Sequence, residues 1–138
     1  MRDVKAYPPA QQELALVTVH GQGRWGDCVA LLEGQPVFVF GAIQGEEVRV
    51  EVVRRRRQRM AARVVEVLSP SPHRVTPPCP YFGPCTGCQW QHIDYAHQLE
   101  LKRRAVVEAL EQSGGLEAPP VAPTLPSSQT FGYRNHAR

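Results

Sequence analysis

Between Glu47 and Val53 the chain alternates strictly, Glu-Val-Arg-Val-Glu-Val-Val, so charged residues fall on one face and Val48, Val50 and Val52 on the other. Successive strand side chains point to opposite sides of a sheet, so this pattern specifies a strand with one wet face and one face toward a core. Four more segments read as strands on the same grounds of branched, apolar content: Glu13–His20, Cys28–Leu32, Pro36–Phe40 and Ala62–Leu68. The turn residues between them are glycine-bearing: Gly21-Gln-Gly-Arg-Trp-Gly26, the tight hairpin pair Glu33-Gly34, and Gly41-Ala-Ile-Gln-Gly45. Five short strands close together suggest a small closed barrel or an OB-like fold, so the class expected is mainly β.

The barrel pattern stops at Ser69-Pro-Ser-Pro-His-Arg-Val-Thr-Pro-Pro78, where four prolines in ten residues forbid a central strand or a helix. A cysteine-rich loop follows, and Ile93–Gln112 then reads as one helix with Asp94 placed to cap it. Its apolar series is Leu99, Ala105 or Val106, Ala109 and Leu110, and Gly114-Gly115 is the stop. Leu116–Ser128 is a proline-rich loop. Phe131–Arg138 reads as the start of a further strand, the beginning of an incomplete second domain.

The net charge of +3 is unevenly placed. Residues 1–78 carry eleven Lys/Arg against eight Asp/Glu, whereas residues 79–138 carry five of each, so the positive excess lies in the first half. It is concentrated in residues 49–63, where Arg49, Arg54, Arg55, Arg56, Arg57, Arg59 and Arg63 face a single acid, Glu51. Guanidinium forks suit phosphates, and neutralising several phosphates releases counterions. On an OB-like scaffold these seven arginines are the expected RNA-binding residues. No apolar run reaches the about 20 residues that span a bilayer, and the N-terminal residues show no secretory signal. A cytoplasmic monomer, away from membranes and with reduced cysteines, is expected. Catalytic motifs such as a phosphate loop, a dinucleotide fingerprint or a nucleophile elbow are lacking, so no catalytic residue is assigned.

Three of the four cysteines lie in Cys79-Pro-Tyr-Phe-Gly-Pro-Cys85-Thr-Gly-Cys88. This C-x5-C-x2-C spacing puts three soft thiolates on one loop, which selects zinc or an iron–sulfur group over magnesium or calcium. A complete site takes four ligands. Zinc would recruit His92, whereas an iron–sulfur cluster calls for a fourth cysteine. Cys28, in a barrel strand, reads as a small buried apolar side chain. Tyr81, Phe82 and Trp90 flank the cysteines and are expected to pack the loop more than to stack on bases.

The ordered set of motifs resembles a known family. Gly21-Gln-Gly-Arg24, Val37–Val48 and Val65–Arg74 are similar to a TRAM domain, the small barrel of RNA-modifying enzymes. Continued through Pro77–His92, Gln98–Lys102 and Gly132-Tyr-Arg-Asn135, the chain resembles the N-terminal part of a bacterial RNA uracil-5-methyltransferase of the 23S rRNA type. The resemblance implies a TRAM barrel over residues 9–70, and over residues 71–138 an iron–sulfur loop with the beginning of a central domain. It also implies that Cys79, Cys85 and Cys88 hold a [4Fe–4S] cluster with a distal cysteine outside this chain. Thr86 stands where the family pattern has glycine. The S-adenosylmethionine-binding fold, the nucleophilic cysteine and the general base would likewise lie beyond residue 138. The chain then reads as an RNA-binding, cluster-anchoring front end, inactive by itself, with rRNA as partner. The rival reading is a stand-alone zinc-dependent RNA-binding adaptor closed by Cys79, Cys85, Cys88 and His92.

Overall fold

The computed structural model describes residues 13–56, 59–85 and 87–135. Five strands form a closed barrel: β1 (Leu14–Gln22), β2 (Cys28–Leu32), β3 (Gln35–Phe40), β4 (Glu47–Arg56) and β5 (Arg59–Ser69), in the order β1-β2-β3-β5-β4. All neighbours are antiparallel except β3 and β5, which run parallel from Val37↔Met60 to Phe40↔Arg63. Closure removes the open sheet edges that would otherwise template pairing with other chains. The expected barrel is therefore present, with β4 and β5 reaching further into the arginine run than the alternation indicated.

Alternation sets the inside of the barrel. Val17 and Val19, Val37 and Val39, and Val48 and Val50 all point inward with Ala30, Met60 and Ala62, and each is buried. A barrel this small has no room for many large side chains, and β-branched valine packs well on a pleated surface. Cys28 joins this core at 2% exposure, donating its thiol to the Ala42 carbonyl at 3.3 Å. Burial first, then the nearby Asp27 and Glu46 carboxylates, push its thiol up to about 12, so it behaves as the expected apolar filler. Between β2 and β3, Glu33 and Gly34 both take positive φ (52° and 75°), as a two-residue type I′ hairpin requires.

The barrel-containing unit runs to Ile93, so the proline connector and the cysteine loop belong to it. Its fastening is a buried ion pair. Glu46, fully buried in the β3–β4 connection, accepts from Arg74 at 2.6 Å (Nε) and 2.7 Å (Nη2). The same carboxylate accepts the backbone N–H groups of Ile43 (2.8 Å) and Ser71 (3.0 Å), while Arg74 also donates to the Gly41 carbonyl at 2.7 Å. Burial alone would push the Glu46 carboxyl up. The Arg74 and backbone hydrogen bonds outweigh it and hold the group below the usual carboxylate range. Because the folded value is depressed, this stabilisation is present above the unfolded carboxylate range and is lost as pH falls through the folded value.

The second unit holds α1 (Tyr95–Gly114), capped by Asp94, whose side chain accepts from the His97 N–H at 2.9 Å, and ended by Gly115 in the left-handed region. The proline-rich segment folds back along it. Arg103 donates to the Val121 carbonyl (2.9 Å), Thr124 donates to that of Leu99 (2.9 Å), and the Ser127 N–H donates to the Tyr95 hydroxyl (2.8 Å). The buried helical residue is Leu101 rather than the expected series, of which Val106 is 49% exposed. Phe131–Asn135, expected to begin a strand, forms bends with Gly132 at φ 68°, since among the described residues no strand lies alongside to pair with it. Residues 136–138 lie outside the described residues. No described helix is long and apolar enough to cross a membrane.

Removing one partner of a buried pair strands the other charge, at a cost of about 3–5 kcal/mol, whereas an exposed pair is worth about 0–1 kcal/mol. Arg74→Ala should therefore lower unfolding stability by about 3 kcal/mol or more in urea titrations. Arg49→Ala, whose pair with Glu66 is half-exposed, should change it by less than about 1 kcal/mol.

Candidate nucleic-acid interface and cysteine loop

Strands β4 and β5 are ten and eleven residues long, and their pairing continues to Arg56↔Arg59. Strand β1 pairs with β4 only as far as Glu51, and β3 meets β5 only from Met60 onward. The hairpin thus overhangs the barrel, and Arg54, Arg55, Arg56 and Arg59 are all exposed on the overhang.

The register sorts the seven arginines singled out by sequence. Arg49 lies directly opposite Glu66 and pairs with it at 2.5 Å, and Arg63 lies opposite Glu51 and pairs at 2.6 Å. Like-faced cross-strand pairs of opposite charge are an ordinary device of sheet stabilisation. Arg55 is held by Glu13 at 2.5 Å and Glu33 at 3.4 Å, and the Glu13 hydrogen bond and charge push its guanidinium further above its ordinary value. Arg54, Arg56 and Arg59 make no ion pair among the described residues, and they form the uncompensated positive tip. Arg57 lies outside the described residues.

The cysteine loop sits at the other end of the barrel. Strand β1 runs from the overhang end toward Gln22, and the β3–β4 connection lies at that far end, where the Val19 N–H donates to the Glu46 carbonyl at 2.9 Å. The C-terminal flank of the loop is tied there. Trp90 Nε1 donates to the Gly26 carbonyl at 3.0 Å, and the Val75 N–H donates to the His92 carbonyl at 2.9 Å. His92 is 1% exposed and its Nε2 lies 3.1 Å from the Ala42 carbonyl. A carbonyl only accepts, so Nε2 carries the proton. Burial, the largest influence, pulls the imidazole below its ordinary value, so the ring is neutral at pH 7. Its Nδ1 is buried and has no hydrogen-bond partner among the described residues. The Phe82 ring lies tilted against this ring, 5.4 Å between centroids and 36° between planes.

Within the loop, the Phe82 N–H donates to the Cys79 carbonyl (3.1 Å) and the Cys85 N–H to that of Tyr81 (3.0 Å), curling the chain around Gly83 at φ 100°. The Cys79 N–H donates to the Gln91 side chain at 3.2 Å. All three cysteines are free thiols, Cys79 half-buried and Cys85 and Cys88 exposed. Among the described residues no three His, Cys, Asp or Glu side chains are gathered closely enough to hold a metal. Thr86 lies outside the described residues. Of the flanking aromatics, Phe82 and Trp90 pack as expected, whereas Tyr81 is 72% exposed.

Sequence reasoning passed over Trp25. It lies in the β1–β2 turn beside Arg24 and is 76% exposed. A tryptophan next to arginine inside a glycine-bracketed turn was the available signal.

Comparison with known proteins accords with this geometry. Residues 13–65 match the TRAM domain family. An uncharacterized RNA methyltransferase of Gloeobacter violaceus is 40% identical over 126 residues, which is 91% of this chain and 28% of that protein. The 23S rRNA (uracil(1939)-C(5))-methyltransferase RlmD of Alkalilimnicola ehrlichii is 40% identical over 126 residues, 91% of this chain and 27% of that protein. Its counterpart of the same name in Nitrosococcus oceani is 39% identical over 130 residues, 94% of this chain and 29% of that protein. The chain spans less than a third of the length of these relatives. Over residues 13–65 the barrel thus matches the TRAM domain family, and over most of its length the chain is similar to proteins named RNA methyltransferase.

Proposed function

We propose that this chain is the RNA-binding region of an S-adenosylmethionine-dependent RNA uracil-5-methyltransferase, with 23S rRNA as the expected substrate, and that by itself it binds RNA without transferring methyl groups. The observation that carries the reading is the overhanging hairpin, which holds Arg54, Arg56 and Arg59 clear of any acidic partner among the described residues on a TRAM barrel. Guanidinium groups whose charge is not already neutralised are the ones able to displace counterions from a phosphate backbone. Arg49 and Arg63, which the sequence pattern placed in the same patch, are held by Glu66 and Glu51 and contribute to the sheet instead.

The cysteine loop fits a [4Fe–4S] cluster in its donor chemistry. Cys79, Cys85 and Cys88 are free thiols on one turn-rich loop, and they would supply three ligands with the fourth coming from elsewhere in the protein. Such a group, when bound, would cross-link three points of a loop that has little apolar content of its own. Zinc closed by His92 is the second reading. It is less favoured because, with Nε2 given to the Ala42 carbonyl, zinc would have to bind through Nδ1 of a ring that is 1% exposed.

Replacing Arg54, Arg56 and Arg59 together by Gln should weaken binding to single-stranded RNA and flatten the dependence of log K on log salt by about 2, since each phosphate contact contributes roughly 0.7. Arg49→Gln or Arg63→Gln should leave that slope unchanged in the same fluorescence-anisotropy titrations. Anaerobic reconstitution with iron and sulfide should give a coloured protein whose visible absorption is lost when Cys79, Cys85 and Cys88 are all changed to Ser. A colourless protein that takes up one zinc and loses it on His92→Ala would instead support the adaptor reading.

A further inference from the structure

At the barrel end away from the arginine hairpin, one side chain is held out into solvent by a loop that is otherwise tied down on every side. Trp25 is 76% exposed. The Trp25 backbone N–H donates to the Asp27 carboxylate at 2.9 Å, and Asp27 is itself 3% exposed. The Gly23 N–H closes the turn on the Asp27 carbonyl at 2.8 Å, and a Cβ on Gly23 would run into the Asp27 carboxylate. Gly26, at φ 82°, lies against the Gln89 side chain, where an added Cβ would meet Oε1 at 2.5 Å, and its carbonyl accepts from Trp90 Nε1 at 3.0 Å. A glycine is needed there for both the positive φ and the close approach.

An indole left in water forfeits the burial that normally recruits so large an apolar side chain. Here the backbone on both sides of it is fixed by a buried carboxylate and by the docked flank of the cysteine loop. The backbone that carries the indole is therefore already ordered in the free protein, and such preorganisation favours binding. The adjacent Arg24 is exposed and makes no ion pair among the described residues, so a cation flanks the ring. A flat aromatic face beside a positive charge complements an unstacked base and its phosphate.

We propose that Trp25 and Arg24 form a base-stacking site for single-stranded RNA, with the indole taking one unpaired base and the guanidinium its phosphate. This inference deepens the RNA-binding reading and rests on it. With the arginine hairpin at the opposite end of the barrel, it gives the RNA two points of attachment of different kinds. One is electrostatic and depends on salt, and the other is a stacking contact that salt affects little.

The test uses the 138-residue chain and a fluorescein-labelled oligouridine, with anisotropy titrations at several salt concentrations. Trp25→Ala should weaken binding by about 5- to 100-fold with an unchanged salt slope, the range expected for loss of one stacked base. Trp25→Phe should retain most of the affinity, and circular dichroism should show both variants folded, since the ring packs on little. A fully paired duplex, whose bases are not free to stack, should be insensitive to Trp25→Ala. Oligouridine affinity in Trp25→Ala equal to the unaltered chain overturns the stacking site while leaving the RNA-binding reading intact. An unaltered chain that binds no RNA at all overturns both.

Discussion

The Glu46–Arg74 ion pair is the constraint on which the rest of the first unit depends. A carboxylate with no exposed surface is tolerable only when its lone pairs are filled, and here two backbone N–H groups and a guanidinium fill them. Those partners come from the β3–β4 connection and from the residues just after β5, so the pair fastens the proline connector to the barrel. From that point Val75 bonds the His92 carbonyl, His92 bonds the Ala42 carbonyl, and Trp90 bonds the Gly26 carbonyl. The position of the cysteine loop is thus inherited, through a chain of hydrogen bonds, from one buried charge.

The barrel separates two kinds of chemistry. At one end, two long strands overrun their neighbours and carry a cluster of cations beyond the reach of most acidic side chains. At the other end, the turns are compact, glycine-dependent and buttressed, and the exposed groups include the Trp25 indole, Arg24 and the thiols of Cys85 and Cys88. Along β5 the distance between these ends is about 35 Å, from its eleven residues at roughly 3.3 Å each. A nucleic-acid strand of several nucleotides, within the usual site size of small barrels of this kind, would be long enough to touch both.

Much of this was legible from sequence, for a physical reason. Period-two alternation is forced on any strand with one buried face, so Glu47–Val53 announced itself, and Cys28 could be read as core because it sits among inward-facing positions. What depends on register was not legible. Whether Arg49 and Arg63 are free or paired turns on Glu66 and Glu51 lying directly across from them, which no spacing along the chain reveals. His92, four positions after the last cysteine of the loop, suggested a ligand, but its environment is set by Ala42, fifty residues away. Glu46 and Glu47 are adjacent acids in the sequence, and only the tertiary fold distinguishes the buried Glu46 from the exposed Glu47. Trp25 could have been noticed, but exposure is a property of the folded turn. Phe131–Asn135 carried strand-like residues, but a strand forms only with a partner to pair with.

Backbone amide chemical shifts of the isotope-labelled chain titrated with single-stranded RNA test most directly whether RNA engages this barrel through Arg54, Arg56 and Arg59, which make no ion pair among the described residues. Shifts concentrated at Arg54–Arg56, Arg59 and the Gly23–Gly26 turn, with Arg49 and Arg63 little affected, are the expected result. Shifts confined to other faces of the barrel, or to α1 and the segment after it, would contradict it.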